Sequence, residues 1–255
     1  RLPKSLREWE AYNALSTNIT NFLQILPLLQ DLSKDSIQNR HWVQVMTVTG
    51  SNFVVDANEL TLGTLLNADL LRVKDDIEDI CDSADKQMAI DLKLSEVRGK
   101  WSSATFTFEQ VKGKRTSLLK GYGQTIEDLE ESQLALQTML SMRHVGPFKD
   151  GAANMLSQLS DTADTLELWI KVQLLWQSLE SVFTGGDIMK QMPLEAKKFS
   201  KIDKDWNKAM SKAEDTLNVV ACCSNELLKN SLPIMYAELE KCQKSLEGYL
   251  EQKRS

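Results

Sequence analysis

A chain of 255 residues, 42% hydrophobic and 26% charged, can bury one elongated core or two smaller ones and is too apolar for a disordered segment. Its 30 basic and 36 acidic residues leave a net charge of −6, which argues against nucleic-acid binding as its main task. No apolar run approaches the roughly 18 residues of a membrane span, no signal peptide is visible, and only 5 prolines and 11 glycines interrupt the chain, so long helices are expected.

Residues 5–32 have helical periodicity. Leu6, Trp9, Tyr12, Leu15, Ile19, Phe22 and the pair Ile25/Leu26 fall on one stripe. Pro27 is expected to kink or divide this helix, because it removes a backbone donor and crowds the preceding turn. A second helix is predicted from Ser36 to Val48, carrying Arg40, His41 and Trp42 and ending before Gly50, and a short one from Glu59 to Leu66. Ala68 to Trp101 is the longest candidate helix, with Val73, Ile77, Ile80, Ala84, Met88, Leu92 and Val97 at helical spacing. At 1.5 Å per residue it would extend about 50 Å, which fits an elongated bundle.

The period then changes. Thr105 to Val111 alternates and is rich in β-formers, Lys112-Gly113-Lys114-Arg115 supplies a turn, and Thr116 to Leu119 returns, which predicts a β-hairpin within an otherwise helical chain. A lone hairpin is marginal in water, so one face should pack on the helices. Its basic tip is read as a solvated turn, with contact to an acidic partner as the alternative.

Helical patterning resumes from Thr125 to Met142, with Ile126, Leu129, Leu136 and Leu140 as the apolar set, and breaks at Arg143 to Phe148. Lys149 to Leu159 leads into the helix that organises the chain, where Leu166, Trp169, Ile170, Trp176, Leu179 and Phe183 recur three or four residues apart. Gly185-Gly186 is expected to end it through the left-handed conformation, Asp187 to cap the next turn, and Pro193 to close that turn or open the following helix. Helices are then predicted at Leu194–Phe199, Asp203–Glu214 and Asn225–Lys253, the last with Pro233 as an interior kink and Leu239, Cys242, Leu246, Tyr249 and Leu250 as its stripe. The fold class is mainly α: an elongated multi-helix bundle arch with one inserted β-hairpin. Its divisions are N-terminal helices at 1–100, the hairpin at 101–122 and a helical bundle at 123–255.

Tests for chemistry yield little. Gly121-Tyr122-Gly123 and Gly185-Gly186-Asp187 match no phosphate-binding loop, and the acids around Asp75–Asp79 have the spacing of a solvated face. Cys81, Cys222, Cys223 and Cys242 fit no zinc pattern and are read as reduced, packed thiols of an intracellular protein. His41 and His144 are read as packing or hydrogen-bonding residues. No catalytic residue, cofactor-binding residue or metal ligand is assigned, and the segment is not an enzyme by itself. The six tryptophans (9, 42, 101, 169, 176, 206) are expected to be packing anchors, each burying roughly 150–250 Å².

Several runs carry a resemblance. They are Asn39-Arg40-His41-Trp42, the helix ending at Trp101 before the hairpin, Arg143-His144-Val145-Gly146-Pro147-Phe148, and the stretch from Trp169 through Trp176 and Phe183 to Gly185-Gly186-Asp187-Ile188 and Gln191-Met192-Pro193. With the ending Leu246-Glu247 and Tyr249-Leu250-Glu251, they resemble the linker region of dynein heavy chains, in a form closer to axonemal than to cytoplasmic chains. The start on arginine is read as that of a fragment of a longer chain.

That resemblance implies an element that bends and straightens over a ring of ATPase modules to produce a power stroke along microtubules. Nucleotide sites and the microtubule-binding stalk would lie elsewhere in the heavy chain, so this segment would carry no cofactor. Its partners would be the ring of the same heavy chain and other dynein subunits, with no nucleic acid and no membrane. Its place would be the cytoskeleton, in the axoneme of a cilium or flagellum. Hinge candidates are Arg143, His144, Gly146, Pro147 and Phe148, then Gly185 and Gly186; ring-contact candidates are Arg40, His41, Trp42 and Arg143; anchors are Trp101, Trp169, Trp176 and Phe183. The alternative is a helical cytoskeletal adaptor or spacer that binds protein partners through exposed faces.

Overall fold

A computed structural model describes residues 3–7, 9–52, 65 and 68–255. The helix expected at Glu59–Leu66 lies outside the described residues, Leu65 apart. In chain order the helices are α1 (Lys4–Arg7), α2 (Glu10–Leu32), α3 (Asn39–Thr49), α4 (Lys74–Ser103), α5 (Tyr122–Leu140), α6 (Lys149–Phe183), α7 (Gly186–Gln191), α8 (Pro193–Thr216), α9 (Val219–Cys223) and α10 (Glu226–Arg254). Strands β1 (Thr107–Gln110) and β2 (Ser117–Lys120) separate α4 from α5 and pair antiparallel, with Phe108 opposite Leu119. The fold class is therefore mainly α with one inserted hairpin, as the periodicity predicts.

The chain packs as two compact units, one of residues 1–93 with 143–146, the other of 94–142 with 147–255. The first closes around Ile25, Leu28 and Leu32 of α2, Trp42 and Val45 of α3, Leu70 and Val73 of the 3-10 turn before α4, and Ile77, Ile80 and Cys81 of α4. Gly50, with φ of 68°, ends α3 in the left-handed conformation that glycine adopts without a Cβ clash. The α2–α3 corner is fastened to α4 through Asp85, which accepts from Ser36 Oγ at 2.6 Å and pairs with Lys34 at 3.3 Å. The Ser36 hydrogen bond is the main reason the Asp85 carboxyl is held below its usual pKa.

The second unit is assembled on α6, against which α5, α7, α8, α9, α10 and β2 all pack. This helix, not the one at 68–101, is the longest of the described chain, at 35 residues or about 52 Å. Residues 149–183 contain no proline, and Gly151 stands in the first turn, so nothing divides the lead-in from the organising stripe.

Other expectations are corrected. Pro27 lies inside unbroken α2 and does not divide it, whereas Pro233 lies inside α10, where the sequence places it. The breaks expected between 199 and 203 are absent, because Ser200-Lys201-Ile202 holds no helix breaker and Pro193 at the first helical position opens one continuous α8. Gly185 is extended (φ −85°, ψ 134°) and precedes α7 as its N-cap, so α6 does not end through a left-handed glycine and Asp187 lies within the next helix. In α4 the stripe departs from the predicted positions between Ala84 and Val97, both of which are buried as expected: Met88 and Leu92 are exposed, while Gln87, Ile90 and Leu94 are buried. In α2 the predicted stripe is buried only from Ile25 onward; Trp9, Leu15, Ile19 and Phe22 are exposed.

The hairpin is held to the second unit by polar mimicry. Gln173 of α6 is buried, and its side-chain amide accepts from the Leu119 N–H at 2.8 Å and donates to the Leu119 carbonyl at 3.0 Å. It thereby takes the place of a neighbouring strand and satisfies both backbone groups. At the hairpin's entry Asn218 donates to the carbonyls of Trp101, Ser102 and Ala104, while the Phe106 N–H reaches the Leu217 carbonyl at 2.9 Å. At the tip Lys114 pairs with Glu180 of α6, so one of the three tip cations has its acidic partner within the chain. Removing the Gln173 amide leaves buried backbone groups unpaired. Gln173→Ala is expected to cost about 1–3 kcal/mol in denaturant unfolding followed by tryptophan fluorescence, against little change for Gln177→Ala on the exposed face; equal effects would show that the amide does not anchor the hairpin.

Candidate functional site

The break after α5 is where the first hinge candidates fall. Arg143, Gly146 and Pro147 are exposed, Val145 is buried, and Gly146–Phe148 forms a 3-10 turn that runs directly into α6. His144 Nδ1 lies 3.0 Å from Ser83 Oγ of α4. The chain passes between the two compact units at 93/94, within α4, and again at 142/143 and 146/147, on either side of Arg143–Gly146. Pro147 lacks an N–H and restricts the residue before it, so continuous helix through this point is disfavoured. The second candidate pair is less constrained: a Cβ on Gly186 would meet nothing within 4 Å, and one on Gly185 only ordinary contacts at 3.5 Å or more.

The candidate surface residues on α3 sit differently from a contact face. His41 is fully buried and Trp42 is 7% exposed, both within the first unit. His41 Nδ1 accepts from the Gln38 backbone N–H at 2.9 Å, at the first turn of α3. Its Nε2 lies 2.8 Å from Gln87 Oε1, so the neutral tautomer that satisfies both contacts carries its proton on Nε2. Arg40 is half-buried, and its Nε donates to the same Gln87 oxygen at 3.1 Å. Gln87 is the residue that sequence periodicity passes over. It displaces the apolar Met88 from the buried stripe because two donors of α3 converge on its carbonyl oxygen.

The four anchors are all buried, and each tryptophan has its indole N–H satisfied. Trp101 donates to Ser132 Oγ at 2.9 Å, Trp169 points at Met210 Sδ at 3.3 Å, and Trp176 donates to Asp203 Oδ1 at 3.0 Å. Phe106 of the hairpin's entry meets Trp169 edge-on at 5.3 Å, Trp176 stacks on Trp206 at 5.7 Å, and Phe183 stacks on Phe199 at 5.5 Å. Trp206 has no hydrogen-bond partner for its buried Nε1 and is held by packing, the stack on Trp176 included. Gln173 and Asn218, which tie this seam to the hairpin, were missed by the sequence reading. A polar residue at the core-facing position between Trp169 and Trp176 was the signal for Gln173.

The thiols of Cys81, Cys222, Cys223 and Cys242 are all free and buried. Burial raises each thiol's pKa, to about 11 at Cys81 and Cys222 and about 12 at Cys223. Among the described residues no three His, Cys, Asp or Glu side chains gather as metal ligands, and no helix is long and apolar enough to cross a membrane.

Fold and site together define a mainly helical protein of two packed units, within which buried polar groups join elements to one another. Sequence comparison gives the family. The chain belongs to the family described as dynein heavy chain, N-terminal region 2, whose model matches residues 1–255. It is 43% identical over its whole length to dynein axonemal heavy chain 8 of Homo sapiens and 43% identical to the dynein gamma chain, flagellar outer arm, of Chlamydomonas reinhardtii. Over 99% of its length it is 36% identical to the dynein beta chain, ciliary, of Tripneustes gratilla. The chain spans about 6% of the length of each of these relatives.

Burial lowers the His41 pKa below 6.5, outweighing the hydrogen bond to Gln87, which opposes it, and the positive charge of Arg40 adds a smaller push in the same direction as burial. The unfolded chain therefore takes up this proton first as pH falls. The stability contributed by neutral His41 is complete above about 6.5 and is lost as pH drops through the folded value. In proton NMR the His41 ring signals should titrate below pH 6.5; titration at or above that value would contradict the buried neutral ring.

Proposed function

We propose that this chain is the mechanical linker element of an axonemal dynein motor, bending and straightening over the ATPase ring of its own heavy chain to produce the power stroke. The observation that carries the proposal is the match of the whole chain to the dynein heavy chain N-terminal family, with ciliary and flagellar chains among its relatives. Two physical features support it. The second unit is a dense seam of stacked aromatics on one long helix, and dense interiors deform little under load. Two of the three unit boundaries bracket Arg143–Gly146, where a few residues at a break can absorb the dihedral changes of a bend, and the third falls within α4 at 93/94. In this reading the nucleotide sites lie elsewhere in the heavy chain, and the segment holds no cofactor. Arg143 is exposed at the break and can meet a ring carboxylate, whereas Arg40 is tied to Gln87 and acts through the first unit. The partners are the ring and other dynein subunits, and the location is the axoneme of a cilium or flagellum.

The test belongs in a complete heavy chain. Gly146 has a negative φ and open space around it, so Gly146→Ala with Pro147→Ala is sterically tolerated and extends helical propensity through the break. Microtubule gliding velocity is expected to change by about twofold or more while the KM for ATP stays within about twofold, an uncoupling of motion from nucleotide binding. Unchanged gliding would move the hinge away from Arg143–Phe148.

A further inference from the structure

Helix α8 carries two opposed faces. Phe199, Ile202, Trp206, Met210 and Ala213 are buried on one side. At about 100° per residue, Lys197, Lys201, Lys204, Lys208 and Lys212 lie within about 80° of one another on the other side, in a row about 22 Å long. All five are exposed, and none is within 4.0 Å of a carboxylate of a described residue.

This row departs from the rest of the chain. On α4 and α6, exposed lysines pair with acids one turn away, as in Lys74–Glu78, Lys86–Asp82 and Lys171–Glu167. Along the α8 row each lysine is followed three or four residues later by another, an arrangement of like charges that repels itself, and the acids at the same spacing, Asp205 and Asp215, lie more than 4.0 Å from its ammonium groups. The acids of α8 do not neutralise it: Asp203 accepts from Trp176, Glu214 accepts from Ser117, Glu195 stands about 140° round the helix from the middle of the row, Asp205 at its edge and Asp215 beyond its end. A self-repelling row on a chain of net charge −6 is relieved by an anionic partner.

A second feature adjoins it. A groove of about 300 Å³ runs between α8 and α10; Lys208 and Lys212 line it together with one acid, Asp205, while Ala209, Ala213, Leu227 and Leu228 supply apolar lining. Leu227 is 68% exposed. Cationic row and apolar groove are thus continuous.

We propose that this face docks an acidic amphipathic helical segment of a polypeptide, with carboxylates along the lysine row and an apolar side chain seated in the groove. The chemistry selects this occupant. A lipid surface would need an apolar face to insert, but the apolar face of α8 is buried in the second unit. A bare phosphate backbone would leave the groove empty. The proposal uses residues of the second unit alone and stands independently of the linker reading.

The test titrates the 255-residue chain with a labelled helical peptide of about 16 glutamate and leucine residues, long enough to follow the row, with binding read by fluorescence anisotropy. Binding should weaken as salt rises from about 50 to about 200 mM. It should fall about tenfold in K204Q/K208Q/K212Q, the loss of three exposed ion pairs, while K74Q/K86Q/K171Q stays within about twofold. A peptide with serine in place of leucine should also bind more weakly, and Leu227→Ser should reproduce that loss. Circular dichroism and melting of each variant check that α8 remains folded. Equal losses in the two lysine triples, or no binding of the peptide, would overturn the proposal. So would capture by vesicles containing about 30% phosphatidylserine without peptide binding, because that result assigns the row to a lipid surface.

Discussion

The second unit depends on one packing register. Trp169, Trp176 and Phe183 stand seven residues apart on α6, two helical turns each, so they project from one side of the helix. Trp176 meets Trp206 and Phe183 meets Phe199, and Trp206 and Phe199 are themselves seven apart on α8. The pairs advance along α6 as they retreat along α8, which fixes the two helices as antiparallel in a single register. Trp169 closes the series against Met210 of α8 and Phe106 of the hairpin's entry. A slip by one turn would separate both stacks at once and bury the Trp176 N–H away from Asp203, at a cost of several kcal/mol in lost aromatic contact and one unmade hydrogen bond.

From that register the rest of the unit follows. Gln173 lies between Trp169 and Trp176 on the same buried side, so it reaches β2 only because the tryptophans fix how α6 is rotated. The hairpin, marginal alone, is then pinned by Gln173, by Asn218 at its entry and by Lys114 with Glu180 at its tip. The lysine row of α8 faces solvent for the same reason: with Phe199, Ile202 and Trp206 committed to the seam, the opposite side of the helix must point outward. Buried aromatic packing therefore determines what the unit can display as well as what holds it together.

The sequence made the helical class, the hairpin, the break at Arg143–Phe148 and the anchors on α6 legible, because bulky apolar residues at regular spacing announce a buried face. It misled where burial depends on partners distant in sequence. Met88 and Leu92 continue an apolar spacing, yet Gln87 is the residue buried, since Arg40 and His41 of α3 supply its hydrogen bonds. Trp9, Leu15, Ile19 and Phe22 form an equally good stripe but are exposed. Gly185-Gly186 had the composition of a left-handed cap and adopts another conformation, whereas Gly50 carries out that role. The lysine row of α8 was present in the sequence and became informative only when the structure showed its face to be exposed and without acidic partners.

In the proposed linker role the α6 seam is a rigid body, and bending takes place at Arg143–Phe148 together with the stretch of α4 around 93/94, where the chain first passes between the units. The most direct measurement is a pair of spin-label distances in a complete heavy chain, with labels on genetically encoded residues. One pair spans the candidate hinge, from Ser33 to Ser178, and the other lies within the second unit, from Ser178 to Lys212; all three positions are exposed. On exchanging the nucleotide-free state for a trapped ATP state, the first distribution should shift and the second should stay unchanged. A change in the second distance would show that the aromatic seam itself deforms, and constancy of both would show that this segment does not bend during the nucleotide cycle.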